Sequence, residues 1–338
     1  MDLNAMWFVL VTVLIAGYAI LDGFDLGVGV LYLFIPDNHE RRVMLNAIGP
    51  VWDGNEVWLL TGGGALFAAF PVVYATVFSG FYLALMLLLV ALIFRAVSME
   101  FRGKVDSPAW RTVWDWSFGL GSLLPAVLFG VAFGNILRGI PIDKTGTFTG
   151  SFVGLLHPYA VLIGILSMVL FTMHGAVYLL LKTDGTLHDR LRSWFPGLWI
   201  ACVALYVLAT LATLFVSPFL FDGMLKNPLF WIFFLLLLAS VLSLPVAVKA
   251  RKFLLAFLAS SLTIASMLSL SAVSLFPRLV PSLTDLTYSL TAYNASSSPA
   301  TLMVMLIIAL IGMPFVIIYT VIIYRVFKGK VLIAEESY

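Results

Sequence analysis

The chain has 338 residues, of which 62% are apolar and 11% charged, against about a quarter charged in a typical soluble domain. With a mean hydropathy of +1.07, most of the surface cannot face water, and lipid must be its solvent. A formal charge of +2 argues against a nucleic-acid partner, and the single cysteine, Cys202, can form neither an intrachain disulfide nor a thiolate metal cluster.

A helix needs about 20 apolar residues to cross the hydrocarbon. Runs of that kind fall at about 6–35, 50–70, 73–98, 113–137, 152–181, 195–217, 227–248, 253–276 and 301–327. They predict one all-α integral membrane domain over 1–338 with about nine transmembrane helices. The first run has no positive residue ahead of it and is too long for a signal-peptide core, so it is expected to be retained with its N-terminus outside. Asp53 and Glu56 interrupt the start of the second, and Pro71 breaks it from the third. With that orientation, fifteen of the nineteen Lys and Arg fall in inner segments, Arg95, Arg102, Arg41 and Lys330 among them. The positive-inside rule then places the C-terminus in the cytoplasm. The turn Lys249–Lys252 is so short that the seventh and eighth runs must be antiparallel neighbours, and the longest polar segment, 277–300, lies outside. Gly23 and Gly27, Gly62 to Gly64, and Gly119 with Gly121 are candidate helix contacts.

Ionisable groups at membrane depth carry the functional signal. They are Asp22 and Asp25 in the first run, Asp53 and Glu56 in the second, Asp115 in the fourth and His174 in the fifth. A charged, unpaired side chain at mid-bilayer costs roughly 2.5–3.5 kcal/mol, so five such carboxylates would cost on the order of 15 kcal/mol. They must be protonated, paired or reached by water. All five are expected in the inner half of the membrane, and the three-residue spacing within each pair places its members on one helix face. Coupled carboxylates in low dielectric suit a proton relay. The plainer alternative makes Asp53, Glu56 and Asp115 helix-start acids facing the dipole, which cannot apply to Asp22 and Asp25, late in their helix.

His39 and His188 fall in inner loops; His157 and His174 fall near opposite ends of the fifth run, seventeen residues apart. No metal-ligand spacing occurs at depth, and a lone buried His is more often hydrogen-bonded core than ligand, so no catalytic, haem-binding or metal-binding residue is expected on this chain. GFDLGVG at 23–29 lacks a preceding strand and reads as a helix-packing segment rather than a phosphate loop.

LDGFDLGVG (21–29), NAIGPVWDGNEVWLLTGGGALFAAFP (46–71), FRGKVD (101–106), WDWSFGLGSLLPAVLFGVAFGN (114–135) and NASSSPATLMVM (294–305) closely resemble subunit II of cytochrome bd-type quinol oxidases. The likeness is collinear over nearly the whole chain and loosest over 185–250. It implies two four-helix bundles plus one peripheral helix, in a multi-pass protein of a bacterial or archaeal plasma membrane. It implies a heterodimer with a subunit I that carries the haems, two b-type and one d-type or three b-type. That partner would also hold the quinol site, and the resemblance does not choose ubiquinol or menaquinol. It leaves room for a small single-helix accessory subunit and for a structural quinone or lipid. The complex would reduce oxygen to water with electrons from quinol and protons from the cytoplasm, building proton-motive force without pumping. Carried over by residue, Asp53 matches a position implicated in proton supply, and Trp58 one associated with oxygen access. Asp25 matches the second acid of the GFD motif, Asp22 a position that is Asp or Glu, and Glu56 one that varies between Glu and Gln. His174 lies in a loosely matching segment with an open role.

Two other readings compete with a non-haem oxidase subunit supplying part of a proton path. One is a proton-coupled secondary transporter, which would use buried carboxylates for its coupling ion but for which no inverted repeat is evident. The other is a passive scaffold whose acids are structural.

Overall fold

In a computed structural model describing residues 2–332, the chain is almost wholly helical. The helices are α1 (Leu3–Tyr32), α2 (Asn38–Ile48), α3 (Trp52–Ala69), α4 (Pro71–Gly80), α5 (Tyr82–Phe101), α6 (Pro108–Arg138), α7 (Pro158–Lys182), α8 (Gly185–Val216), α9 (Pro228–Lys249), α10 (Phe253–Leu275) and α11 (Pro299–Val326). Their starts follow local chemistry. Proline opens α4, α6, α7, α9 and α11, where its missing N–H costs nothing. Side chains of Asp2, Asp37, Ser107, Asn227 and Ser298 accept hydrogen bonds from first-turn amides, satisfying donors that would otherwise be orphaned.

Among the described residues, eight helices are long and apolar enough to cross a membrane: α1 and α5 to α11. The ninth expected span, α3, is 18 residues long but is diluted by Asp53, Asn55, Glu56 and three glycines. The run at 73–98 is not one helix. It divides at Phe81 into α4 and α5, and α4 packs by Val73 into the cluster of the loop-bearing end. There the Thr76 hydroxyl donates to the Gly146 carbonyl at 2.6 Å. Helix α8 starts ten residues before its apolar run, and α2 was not expected at all, because a half-polar eleven-residue helix gives no hydropathy signal.

The helices group as α1, α3, α5 and α6 on one side and α7 to α10 on the other, with α11 lying mainly against α3 and α1. Helices α9 and α10 pack side by side, as their tight turn requires. The two groups meet where α6 and α1 pack on α7, and at the α1–α7 crossing glycine is obligatory. A Cβ on Gly27 would sit 1.8 Å from the Phe171 carbonyl oxygen, and one on Gly175 would sit 2.6 Å from Gly27 backbone. Gly121 is likewise closed by Ala91 and Arg95 backbone. The expected contact at Gly62 to Gly64 is not made: Gly63 and Gly64 have open space beside them and Gly62 only brushes Leu14.

At the end opposite the basic segments, the loops 139–157 and 277–298 form a lid over the bundle. Strands β1 (Arg278–Val280) and β2 (Leu290–Thr291) pair antiparallel. Ser282 donates its hydroxyl to the Ile142 carbonyl at 3.0 Å, and Ser297 donates to the Ala68 carbonyl at 2.6 Å.

Candidate functional site

Asp22 and Asp25 lie one turn apart on α1, and both are fully buried. Asp22 is held on both oxygens. Its Oδ1 accepts from the Arg95 guanidinium at 2.7 Å and its Oδ2 from the Tyr18 hydroxyl at 2.7 Å. Arg95, counted from the sequence among the inner-side cations, projects from α5 into the bundle and is only 1% exposed; the sequence does not show its partner. The pairing resolves the cost expected of a buried charge.

Only one Arg95 nitrogen is used. Among the described residues, its Nε and Nη1 have no partner, and neither has Asp25 Oδ1. Asp25 Oδ2 accepts from Asn55 at 2.7 Å, and Asn55 in turn accepts from the Tyr324 hydroxyl at 3.0 Å, linking α1 through α3 to α11. Glu56 is half-buried on α3, within electrostatic reach of Arg95, Asp22 and Asp53. Asp53 itself is exposed in the first turn of α3, the position that the helix dipole favours for an acid. The structure thus gathers Asp22, Asp25, Glu56 and Arg95 into one polar cluster, with Asp53 at its exposed edge.

Trp58 lies against α1, its ring atoms 2.4 Å from where a Cβ on Gly17 would stand. Its indole N–H is buried without a partner among the described residues.

Asp115 belongs to a different cluster. It is the eighth residue of α6 rather than a helix-start acid. It accepts from Arg41 at 2.6 Å, from Arg102 at 2.5 Å and from the Tyr32 hydroxyl. Arg102 also donates to Asn38 at 2.7 Å, and Arg41 to the Ile35 carbonyl at 2.6 Å. This clamp fastens the end of α1 and the α2 segment to α5 and α6 at the basic end. His174 is separate again. Its Nε2 faces the Ile20 carbonyl at 3.0 Å and its Nδ1 the Ser260 hydroxyl at 2.7 Å, with Phe257 stacked on the ring at 5.1 Å. A carbonyl only accepts, so Nε2 carries the proton. Neither ring nitrogen is free for a haem iron. Among the described residues, no three His, Cys, Asp or Glu side chains are grouped to hold a metal.

The sequence does not mark Tyr18 and Asn55 as site residues, and it gives Arg95 only as an inner-side cation and Tyr324 only as an interface aromatic. Tyr18 sits four residues before Asp22, the spacing of neighbours on one helix face, and that is the signal that could have found it.

The family model described as cytochrome bd terminal oxidase subunit II matches residues 3–327. The chain is 40% identical to "Probable cytochrome oxidase subunit 2" of Haemophilus influenzae, over 97% of this chain and 95% of that protein. It is 38% identical to "Cytochrome bd-I ubiquinol oxidase subunit 2" of Escherichia coli K12 at the same coverage. It is 39% identical to "Cytochrome bd ubiquinol oxidase subunit 2" of Bacillus subtilis, over 98% and 97%. A chain of the bd oxidase structure from Geobacillus thermodenitrificans superposes with a TM-score of 0.81 at 17% identity, covering 97% of this chain and 99% of that one. At that identity the likeness speaks for the fold.

Proposed function

The chain belongs to the cytochrome bd terminal oxidase subunit II family, and on that premise we propose that it joins a haem-bearing subunit I in the plasma membrane and supplies part of the proton path for oxygen reduction. Four protons must cross hydrocarbon from one side for each oxygen reduced to water. The orientation that meets this demand has the N-terminus outside, the C-terminus in the cytoplasm and nine crossings, α3 included.

The observation that carries the proposal is the buried cluster of Asp25, Asp22 and Arg95, with half-buried Glu56 within electrostatic reach of both that cluster and exposed Asp53. Within it the geometry supports different roles. Asp22, gripped by Arg95 and Tyr18, is a fixed charge. Asp25 has one oxygen uncommitted, which suits a group that takes up and releases a proton. Asp53 is the exposed port and Glu56 the half-buried step between them. The resemblance implies a position that varies between Glu and Gln, so in this reading Glu56 acts as a polar stepping point rather than an obligatory acid. Asp115 and His174 are fully engaged, and their bonding supports holding the helices rather than carrying protons.

Haem belongs on subunit I in this reading, supported by a His174 whose two nitrogens are already committed. A haem there supplies the electron and oxygen chemistry, and the residues of this chain deliver protons and hold the partner. Subunit I would dock along the exposed face of α3, where Asp53, Val57, Thr61, Gly64 and Phe67 recur at helical spacing and Gly64 has nothing packed against it. Oxygen access beside Trp58 belongs to the same proposal; Trp58→Ala should then change the KM for oxygen and leave that for quinol. The transporter reading has no comparable support, because the curated relatives cited above are oxidase subunits along nearly their full length.

The test is Asp53→Asn and Asp25→Asn in the purified complex. Each should slow quinol-driven oxygen consumption at least tenfold while the haem absorbance spectrum stays that of the assembled enzyme. Full activity with intact haems would leave the acids structural.

A further inference from the structure

Away from the acid cluster, at the basic end of the second bundle, α9 turns into α10 in three residues. The turn is a Schellman closure: the Lys252 amide donates to the Ala247 carbonyl at 2.9 Å and the Arg251 amide to the Val248 carbonyl at 3.1 Å. This motif places one residue in the left-handed region, where glycine is the usual occupant. Here it is Arg251, with φ of 56°, the sole non-glycine residue of positive φ among the described residues. A long cation thus stands where the backbone would favour glycine, and such strain persists where the side chain has a use.

Arg251 borders an open surface groove of about 600 Å³, lined by Arg251, Lys252 and Lys330 and by Leu254, Leu255 and Leu258 on the first two turns of α10. The three leucines are each at least half exposed, as expected of side chains against acyl tails. Lys330 is anchored by the Thr183 carbonyl at 2.7 Å and by Asp184 at 3.3 Å. Arg251 and Lys252 are exposed and have no acidic partner among the described residues, and exposed Lys249 adds a third cation to the turn.

We infer that this groove is a binding site for one anionic phospholipid. Its phosphate would lie between Arg251 and Lys252 and its acyl chains along Leu254, Leu255 and Leu258. Charge complementarity selects an anion, and the apolar wall continuous with the lipid-facing surface selects a lipid over a soluble phosphate. Each cation near a membrane surface strengthens anionic-lipid binding by about fivefold, so the pair is worth about thirtyfold.

Native mass spectrometry of the detergent-purified complex, titrated with phosphatidylglycerol or phosphatidylcholine, tests this. The wild-type complex should hold one phosphatidylglycerol in preference to phosphatidylcholine, and millimolar inorganic phosphate should not displace it. R251G suits the turn better than arginine, so it should assemble with a normal haem spectrum yet bind phosphatidylglycerol about fivefold more weakly; R251G/K252Q should lose about thirtyfold. Equal phosphatidylglycerol affinity in the wild type and R251G/K252Q, or equal affinity for the two lipids, overturns the site. Displacement by inorganic phosphate makes it an anion site and overturns the lipid. The segment 333–338, with Glu335 and Glu336, is the rival occupant. Its deletion should leave lipid affinity unchanged, and binding that arises only on deletion also overturns the inference.

Discussion

Replacing Arg95 by Met tests whether the ion pair on α1 and α5 is what makes a buried Asp22 tolerable. Methionine keeps the apolar stem of arginine and removes the guanidinium with its charge. Asp22 keeps only its bond from Tyr18 and has no exposed surface through which water could take over. Removing one partner of a buried pair costs about 3–5 kcal/mol, chiefly because the remaining charge is uncompensated. The double variant R95M/D22N removes both charges but leaves the Tyr18 hydroxyl an amide oxygen to bond. Its cost should fall to about 1–2 kcal/mol, that of ordinary hydrogen-bond rearrangement. The second substitution then recovers about 2–3 kcal/mol of what R95M loses. Thermal unfolding of the complex in nanodiscs, followed by haem absorbance, should rank wild type above R95M/D22N and both above R95M. If R95M matched the wild type, or if the second substitution failed to rescue it, Arg95 would not be what stabilises Asp22.

Gly27→Ala must part α1 from α7, since its methyl would overlap the Phe171 carbonyl; a loss of about 3 kcal/mol or more, read as lower yield and melting temperature of the complex, is expected. His174→Phe keeps the stack on Phe257 but abandons the Ile20 carbonyl and the Ser260 hydroxyl, costing about 2–3 kcal/mol; the haem spectrum should not change, and a lost haem band would assign the ligand to this chain. In the loop lid, the Thr145 hydroxyl, with the Thr147 and Thr145 amides, holds the Asp143 carboxyl below its ordinary range. A lowered pKa stabilises the ionised loop at every pH above the ordinary carboxylate value and loses that effect as pH falls through the lowered one. Hydrogen exchange at Thr145 and Thr147, corrected for intrinsic rates, should therefore stay flat down to about pH 4 and rise only below it, and an increase already at pH 6 would contradict the assignment.

Much of this fold is written in hydropathy. The long apolar runs mark α1 and α5 to α11, and Asp22 and Asp25 within the first run mark the polar cluster. What escaped depends on pairing between distant segments. Arg95 looks like a flanking charge until α5 is docked on α1, 73 residues away in sequence. Asp115 looks like a helix-start acid until α2, which hydropathy cannot detect, supplies Arg41. The break at Phe81 has no proline to announce it; it exists because α4 finds its partners in a loop some seventy residues further on. The outward turn of Asp53 follows from the rotation of α3 about its own axis, and with glycines on both faces of that helix no apolar stripe reveals it.

The meeting of Gly27 with Gly175 behaves like a joint machined without clearance. Side chains elsewhere can swap volume with their neighbours, but here main chain rests on main chain and nothing remains to be trimmed. The spacing of the two halves is therefore set by the peptide unit itself, insensitive to sequence drift on the lipid-facing helices. Whatever docks across both halves meets a spacing fixed at that crossing.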